Sequence, residues 1–193
     1  MLPEDLQRIL DAADYADYEI DVLKVDLSKG RLKMQFLISD TEGSARSVSI
    51  VMTALGYKDF FIDKEGNSAY IHWERESPLL WRFNDTQCEL YIAGQTRHIE
   101  KVVYDLLQSH HSLFKLYLPF DLNFLPVLKN GHGLLKKGPE KLLTACAHIL
   151  HQNGIPTSII SEILPDSKAQ NLSILFIGDS YVIGEKFEFE VLN

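Results

Sequence analysis

The chain has 193 residues, 46% apolar and 24% charged, with a formal net charge of −8. A single domain of that length buries about 70% of its unfolded surface, and the composition is that of a globular protein rather than a disordered or fibrous one. The acidic excess argues against a general nucleic-acid binder, which would carry a basic face.

No segment reaches the ~18 apolar residues that a membrane span requires. The start, MLPEDLQRILDAADYADY, lacks the basic region and apolar core of a secretory signal, so a cytoplasmic protein is expected. Up to Ser28 the acids Glu4, Asp5, Asp11, Asp14, Asp17, Glu19, Asp21 and Asp26 face only Arg8 and Lys24. Such a run reads as a solvated face, or as a surface for a basic partner.

Pro3 to about Ala16 has the three- and four-residue apolar spacing of a helix, in Leu6, Ile9, Leu10 and Ala13. Ile20 to Leu27 and Arg31 to Ile38 form a hairpin about Ser28-Lys29-Gly30, since Leu32, Met34, Phe36 and Ile38 alternate with polar residues. Ser44 to Leu55 reads as a covering helix, with Val48, Val51, Met52 and Leu55 as its stripe and Gly56 as its stop. Asp59 to Ile62 and Ala69 to Glu74 are strands joined by turn chemistry at Asp63 to Asn67. Leu79, Trp81 and Phe83 alternate, as do Cys88, Leu90 and Ile92, which together predict a meander of hairpins.

Thr96 then caps a helix over Arg97 to about His111, striped by Ile99, Val102, Val103, Leu106 and Leu107. Phe114 to Leu118 reads as a short strand stopped by Pro119, while Phe120 to Leu128 is ambiguous: its apolar content suits a strand, but Pro126 would confine one to an edge. After the connector Asn130 to Gly133, Pro139 starts a helix that ends at Gly154. Thr157 to Leu164 is a strand, and the chain closes with a buried run, Leu172 to Ile177, and an alternating strand at Phe187, Phe189 and Val191. These last strands are expected at the centre of a sheet.

The strand runs are hairpin-linked and adjacent, so the predicted class is α+β, with mainly antiparallel sheets and helices on one face. Two halves of similar grammar, 1–86 and 87–193, are expected, or one continuous domain. The second half has the order of a ferredoxin-like β-α-β-β-α-β unit if Phe120 to Leu128 is a strand.

The final segment ILFIGDSYVIG resembles the first conserved block of the SGNH (GDSL-type) hydrolases, a strand running into Gly-Asp-Ser. The resemblance covers about ten residues and implies Ser180 as a nucleophile. It stops there. In that family the block lies near the domain start and later blocks supply an Asp-x-x-His pair and Gly and Asn oxyanion donors. Here only Tyr181 to Asn193 follow, and no Asp-x-x-His spacing occurs anywhere in the chain. A hairpin turn accounts for Gly178, Asp179 and Ser180 equally well.

A second candidate is the basic stretch GHGLLKKGPEK, where Lys129, Lys136, Lys137 and Lys141 gather near a predicted helix start, a setting that favours anions. Gly133 to Gly138 has the gap of a phosphate loop, but Pro139 and Glu140 stand where Lys and Ser or Thr belong. A third is Cys146, His148 and His151 on one helix, which lack the spacing and partners of a full metal site. His151, at the helix end, is explained without metal by the dipole's preference for a cation. Cys88 and Cys146 give no disulfide framework and read as small apolar residues of a reducing compartment. Trp73, Trp81, Phe83, Tyr70 and Tyr91 fall on neighbouring predicted strands, as core or as an exposed patch.

The expectation from sequence is a non-enzymatic binding protein, an adaptor, regulator or chaperone-like module acting through protein contacts, self-associating as a homodimer and needing no cofactor. The competing expectation is an enzyme or sensor, either a serine hydrolase on Ser180 or a protein holding a phosphorylated small molecule at Lys136 and Lys137.

Overall fold

The computed structural model describes residues 4, 7, 18–40, 47–63, 70–161 and 171–192. Its chain forms two compact units, one of Met1–Ser77 with Asn171–Asn193 and the other of Pro78–Gln170. The class is α+β, with every strand pair antiparallel. The division differs from the expected break after residue 86, because the last segment of the chain returns to the first unit. Of the helix expected over Pro3 to Ala16, only Glu4 and Gln7 are described, both helical. Residues 162–164 of the predicted strand after Thr157 lie outside the described residues.

The first unit is built from β1 (Tyr18–Ser28), β2 (Arg31–Asp40), β3 (Ser47–Leu55), β4 (Asp59–Phe61), β5 (Ile71–Glu74), β9 (Ser173–Ile177), β10 (Ser180–Gly184) and β11 (Lys186–Leu192). One sheet runs β1-β2-β3-β11 and the other β4-β10-β9-β5. The β1–β2 hairpin closes through Lys29-Gly30, where Gly30 sits at φ +73°, a left-handed conformation that glycine adopts without a Cβ penalty. Leu32, Met34, Phe36 and Ile38 are wholly buried, as their alternation predicts. They share one core with Ile50 and Met52 of β3 and with Leu175, Ile177 and Val182 of the other sheet, so the two sheets pack face to face.

Three expectations are corrected here. Of the segment expected as a covering helix, Ser47–Leu55 is strand β3, between β2 and β11, and residues 44–46 lie outside the described residues. Its inward set, Val48, Ile50, Met52 and Ala54, has period two, while Val51 on the opposite side is also buried, at 5% exposure. Apolar residues on both sides left a subset at helical spacing by coincidence. Next, β4 and β5 do not pair as a hairpin: β10 and β9 stand between them. Finally, the chain end holds two strands where one turn and one strand were expected. Ser180 opens β10, and β9 and β10, buried along their whole lengths, are the centre of their sheet.

The second unit contains a 3-10 turn (Pro78–Leu80), α1 (Trp81–Asn84), β6 (Gln87–Ala93), α2 (Ile99–Phe114), α3 (Leu125–Asn130), β7 (His132–Pro139), α4 (Glu140–Gln152) and β8 (Thr157–Ser161). Its sheet has the order β7-β6-β8. Cys88, Leu90 and Ile92 of β6 pack against Val102 and Leu106 of α2, Leu128 of α3 and Leu143 and Leu150 of α4, so the helices cover one face.

The alternation of Leu79, Trp81 and Phe83 belongs to the turn and α1, not to a strand, in a helix too short to display its own period. Phe114 ends α2 and Lys115 leaves it at φ +50°, so no strand forms over Phe114 to Leu118. Phe120 to Leu128 supplies the start of α3, with Pro126 in its first turn where a missing N–H is tolerated. Without that strand the ferredoxin-like order does not form. Gly131 ends α3 at φ +76°, and a Cβ there would collide with Gln95 Cγ.

Candidate functional site

A cleft of about 260 Å³ lies in the second unit, lined by Asp121, Asn123, Phe124 and Val127 from the approach to α3 and by Leu134, Leu135, Lys136 and Lys137 of β7. A β-bulge makes it. Tyr91 pairs with Leu134 and Leu90 with Lys136, leaving Leu135 as the extra residue. Leu135 and Lys136 therefore lean towards the helix-covered side, where Leu90 is buried, while Leu134 and Lys137 share the open face with Tyr91 and Glu89. The stretch expected as a flexible connector and helix-opening loop is thus a bulged strand from His132 onward, and both lysines are carried on its paired backbone.

The two differ in what they meet. Lys137 forms an ion pair with Glu89, whose other oxygen accepts a hydrogen bond from Tyr91 Oη at 2.6 Å. The Lys137 bond, then that from Tyr91, holds the Glu89 carboxyl below its usual range, and Glu89 in turn raises the Tyr91 hydroxyl. Lys136 makes no hydrogen bond or ion pair among the described residues. Its charge reaches the helix layer. His110, buried between Phe114 and Phe120 at ring separations of 4.8 and 5.4 Å, is held below the usual imidazole range by burial first and then by Lys136 and His111. Burial raises the Cys146 thiol, and Lys136 partly opposes that rise. Asp121, the carboxylate in the cleft, is tied to Asn123, accepting from its backbone N–H at 2.9 Å and its side-chain amide at 3.1 Å.

The other two lysines of the basic stretch do not line the cleft. Lys129 is exposed in the last turn of α3, and Lys141 lies in the first turn of α4 with its ammonium 6.0 Å from the centre of the Trp81 ring. The start of α4 already has its acceptors: Asp85 Oδ2 accepts from Lys141 N–H at 2.8 Å and Thr86 C=O from Glu140 N–H at 2.8 Å. An intramolecular carboxylate therefore occupies the place where an external anion was expected.

Ser180 is 1% exposed. Its Oγ accepts from Asp63 N–H at 3.0 Å and donates to Asp63 C=O at 3.3 Å, so both of its capacities tie β10 to the end of the β4 segment. The geometry gives this serine a structural task. Cys146, His148 and His151 do not converge either. His148 Nε2 meets Gln152 Nε2 at 2.9 Å, and His151 Nε2 accepts from Thr157 N–H at 3.2 Å, with Thr157 Oγ1 at 2.8 Å. Among the described residues no three His, Cys, Asp or Glu side chains group as a metal site.

No family model, curated protein or solved structure matches this chain. Its function is therefore argued from the geometry alone.

Among the aromatics, Trp73 packs against the sandwich core, Trp81 meets Phe114 edge-on at 6.3 Å, Phe83 lies under Arg82, and Tyr91 stands on the open face. Sequence reasoning missed Asp121, Asn123, Phe124 and Val127 as cleft residues. The available signal was Asp-x-Asn ahead of a proline-bearing helix, a side-chain-to-backbone turn pattern. No helix is long and apolar enough to cross a membrane among the described residues.

Proposed function

We propose that the protein is a cytoplasmic, non-enzymatic binding module whose second unit docks an acidic segment of a partner protein. The observation that carries this reading is Lys136, a half-buried cation whose side chain makes no hydrogen bond or ion pair among the described residues, in a cleft with the apolar side chains of Phe124, Val127 and Leu135. A carboxylate would pair with Lys136 while a neighbouring apolar side chain fills the cleft. At about 260 Å³ the cleft is smaller than the roughly 300–1,000 Å³ typical of sites that enclose a whole small molecule. That size suits one or two side chains of a larger partner. Two free cysteines, one buried and one half-buried, are consistent with a reducing compartment.

The test is a peptide array in which Asp or Glu beside Leu, Ile or Phe is compared with the Asn and Gln counterparts, probed with the wild type and with Lys136→Glu. Acidic peptides are expected to bind in a salt-sensitive way, and Lys136→Glu to lose them while keeping its circular dichroism. Equal binding of acidic and amide peptides sinks the reading. Stabilisation by phosphorylated metabolites, removed by Lys136→Ala, would move the assignment to a small-molecule sensor or enzyme.

A further inference from the structure

Strand β8 has one bonded edge and, among the described residues, one open edge. Ala93 N–H donates to Pro156 C=O at 3.0 Å, and the register continues with Tyr91 opposite Ser158 and Glu89 opposite Ile160. Bonded pairs alternate in an antiparallel ladder. The main-chain groups of Ser158 and Ile160 therefore point to β6, and those of Thr157, Ile159 and Ser161 point away from it. On that outer side His151 takes the Thr157 N–H. The main chains of Ile159 and Ser161 have no partner there among the described residues.

An unpaired edge is normally blunted by charge, proline or a bulge, and the other edges here are. β1 has a bulge at Leu23 and carries Asp21, Lys24 and Asp26. β7 has its own bulge, two lysines and Pro139. β11 carries Lys186, Glu188 and Glu190, β4 starts at Asp59, and β5 holds His72 and Glu74. β8 reads Thr-Ser-Ile-Ile-Ser, with no charge, and its Ile160 is 54% exposed. It is the edge strand without charge, proline or a bulge among the described residues.

We propose that β8 pairs antiparallel with β8 of a second copy of this chain, about a two-fold axis through Ile159, to give a continuous sheet of the order β7-β6-β8-β8-β6-β7. The occupant follows from charge. Each copy is strongly acidic, and self-pairing of β11 about Phe189 would set Glu188 against Glu190. On β8 it sets Ile159 against Ile159 and Ser158 against Ile160, so no like charges meet. The main chains fit as well. Ile159 N–H and C=O exchange bonds with the second copy's Ile159, and Ser161 N–H donates to the second copy's Thr157 C=O. The Thr157 N–H stays on His151, which holds the end of the edge in place. Ile159 already packs on the helix-covered core, so the junction extends that core, while Ile160 is covered on the open face.

The test uses the full chain in sedimentation equilibrium over a concentration series, with amide exchange of Ile159 and Ser161. The wild type is expected at twice 22.0 kDa with both amides protected. Ser158→Lys/Ile160→Lys, which changes two exposed side chains and sets lysine against lysine, is expected to fall twofold to 22.0 kDa with an unchanged circular dichroism spectrum. The single variants Ile160→Lys and Ser158→Glu are expected to form a mixed dimer in preference to either homodimer, because the two-fold register sets the lysine introduced in one copy against the glutamate introduced in the other. A wild type that stays at 22.0 kDa throughout, a dimer that survives the double lysine variant, or Ile159 and Ser161 amides that exchange freely in the dimer would each overturn the proposal.

Discussion

Replacing Ser180 by alanine separates a structural serine from a nucleophilic one. In the fold the Ser180 hydroxyl holds two bonds to the Asp63 main chain, at 3.0 and 3.3 Å, from a position 1% exposed. A hydrogen bond contributes about 0.5–1.5 kcal/mol net, so losing both costs about 1–3 kcal/mol. The cavity left by one oxygen is small and adds little. In a chain of this length each kcal/mol lowers the midpoint by about 2–4 °C. The assay is urea unfolding followed by far-ultraviolet circular dichroism, with p-nitrophenyl acetate turnover measured in parallel. Ser180→Ala is expected to unfold at lower urea with an unchanged slope, and neither protein to turn over the ester. A variant with the wild-type midpoint, or wild-type turnover abolished by the substitution, refutes the argument.

Two further outcomes follow from groups in the second unit. Asp85→Ala removes the carboxylate that accepts the Lys141 amide at the start of α4, and by analogy with the loss of an N-cap it should cost about 0.5–2 kcal/mol. Asp85→Asn should recover most of that, measured by thermal denaturation. His110 has its folded value depressed, chiefly by burial, so the unfolded chain binds its proton more readily. Stability is then complete above the unfolded value of about 6.5 and falls as pH drops through it towards the lower folded value. The carboxyls of Glu89, Asp105 and Glu188 are lowered by their Lys137, Lys101 and Lys186 partners, and their contributions are lost only at more acid pH. Between pH 7 and 5.5, His110→Leu should therefore flatten the dependence of midpoint on pH, as read by differential scanning calorimetry.

Elements with one wet face were legible in the sequence. The β1–β2 hairpin, β6, α2 and α4 each bury one stripe and solvate the other, so their periods stand out. β3 was not, because Val51 is buried on the side opposite Ile50 and Met52, and a strand apolar on both sides carries no period of its own. The punctuation around Lys136 and Lys137 misled for a related reason: Gly133, Gly138 and Pro139 look like a loop but lie inside an edge strand, where glycine and proline are tolerated. The two lysines were found by composition, yet their different roles were invisible, since they depend on Glu89 and on which side of a bulge each falls. The capping of α4 by Asp85 joins residues far apart in sequence, and no local pattern reports it.

The second unit enters the chain between β5 and β9, which are neighbours in one sheet with Glu74 opposite Ile174. On the ribosome this imposes an order. Residues 78–170 emerge and have the contacts to fold while the first unit still lacks β9, β10 and β11, including both strands at the centre of its second sheet. Until those strands emerge, Leu32, Met34, Phe36 and Ile38 lack the layer formed by Leu175, Ile177 and Val182. Completion of the sandwich therefore waits for β9, β10 and β11, and the newly made chain is most exposed to chaperones and proteases in the interval before they emerge.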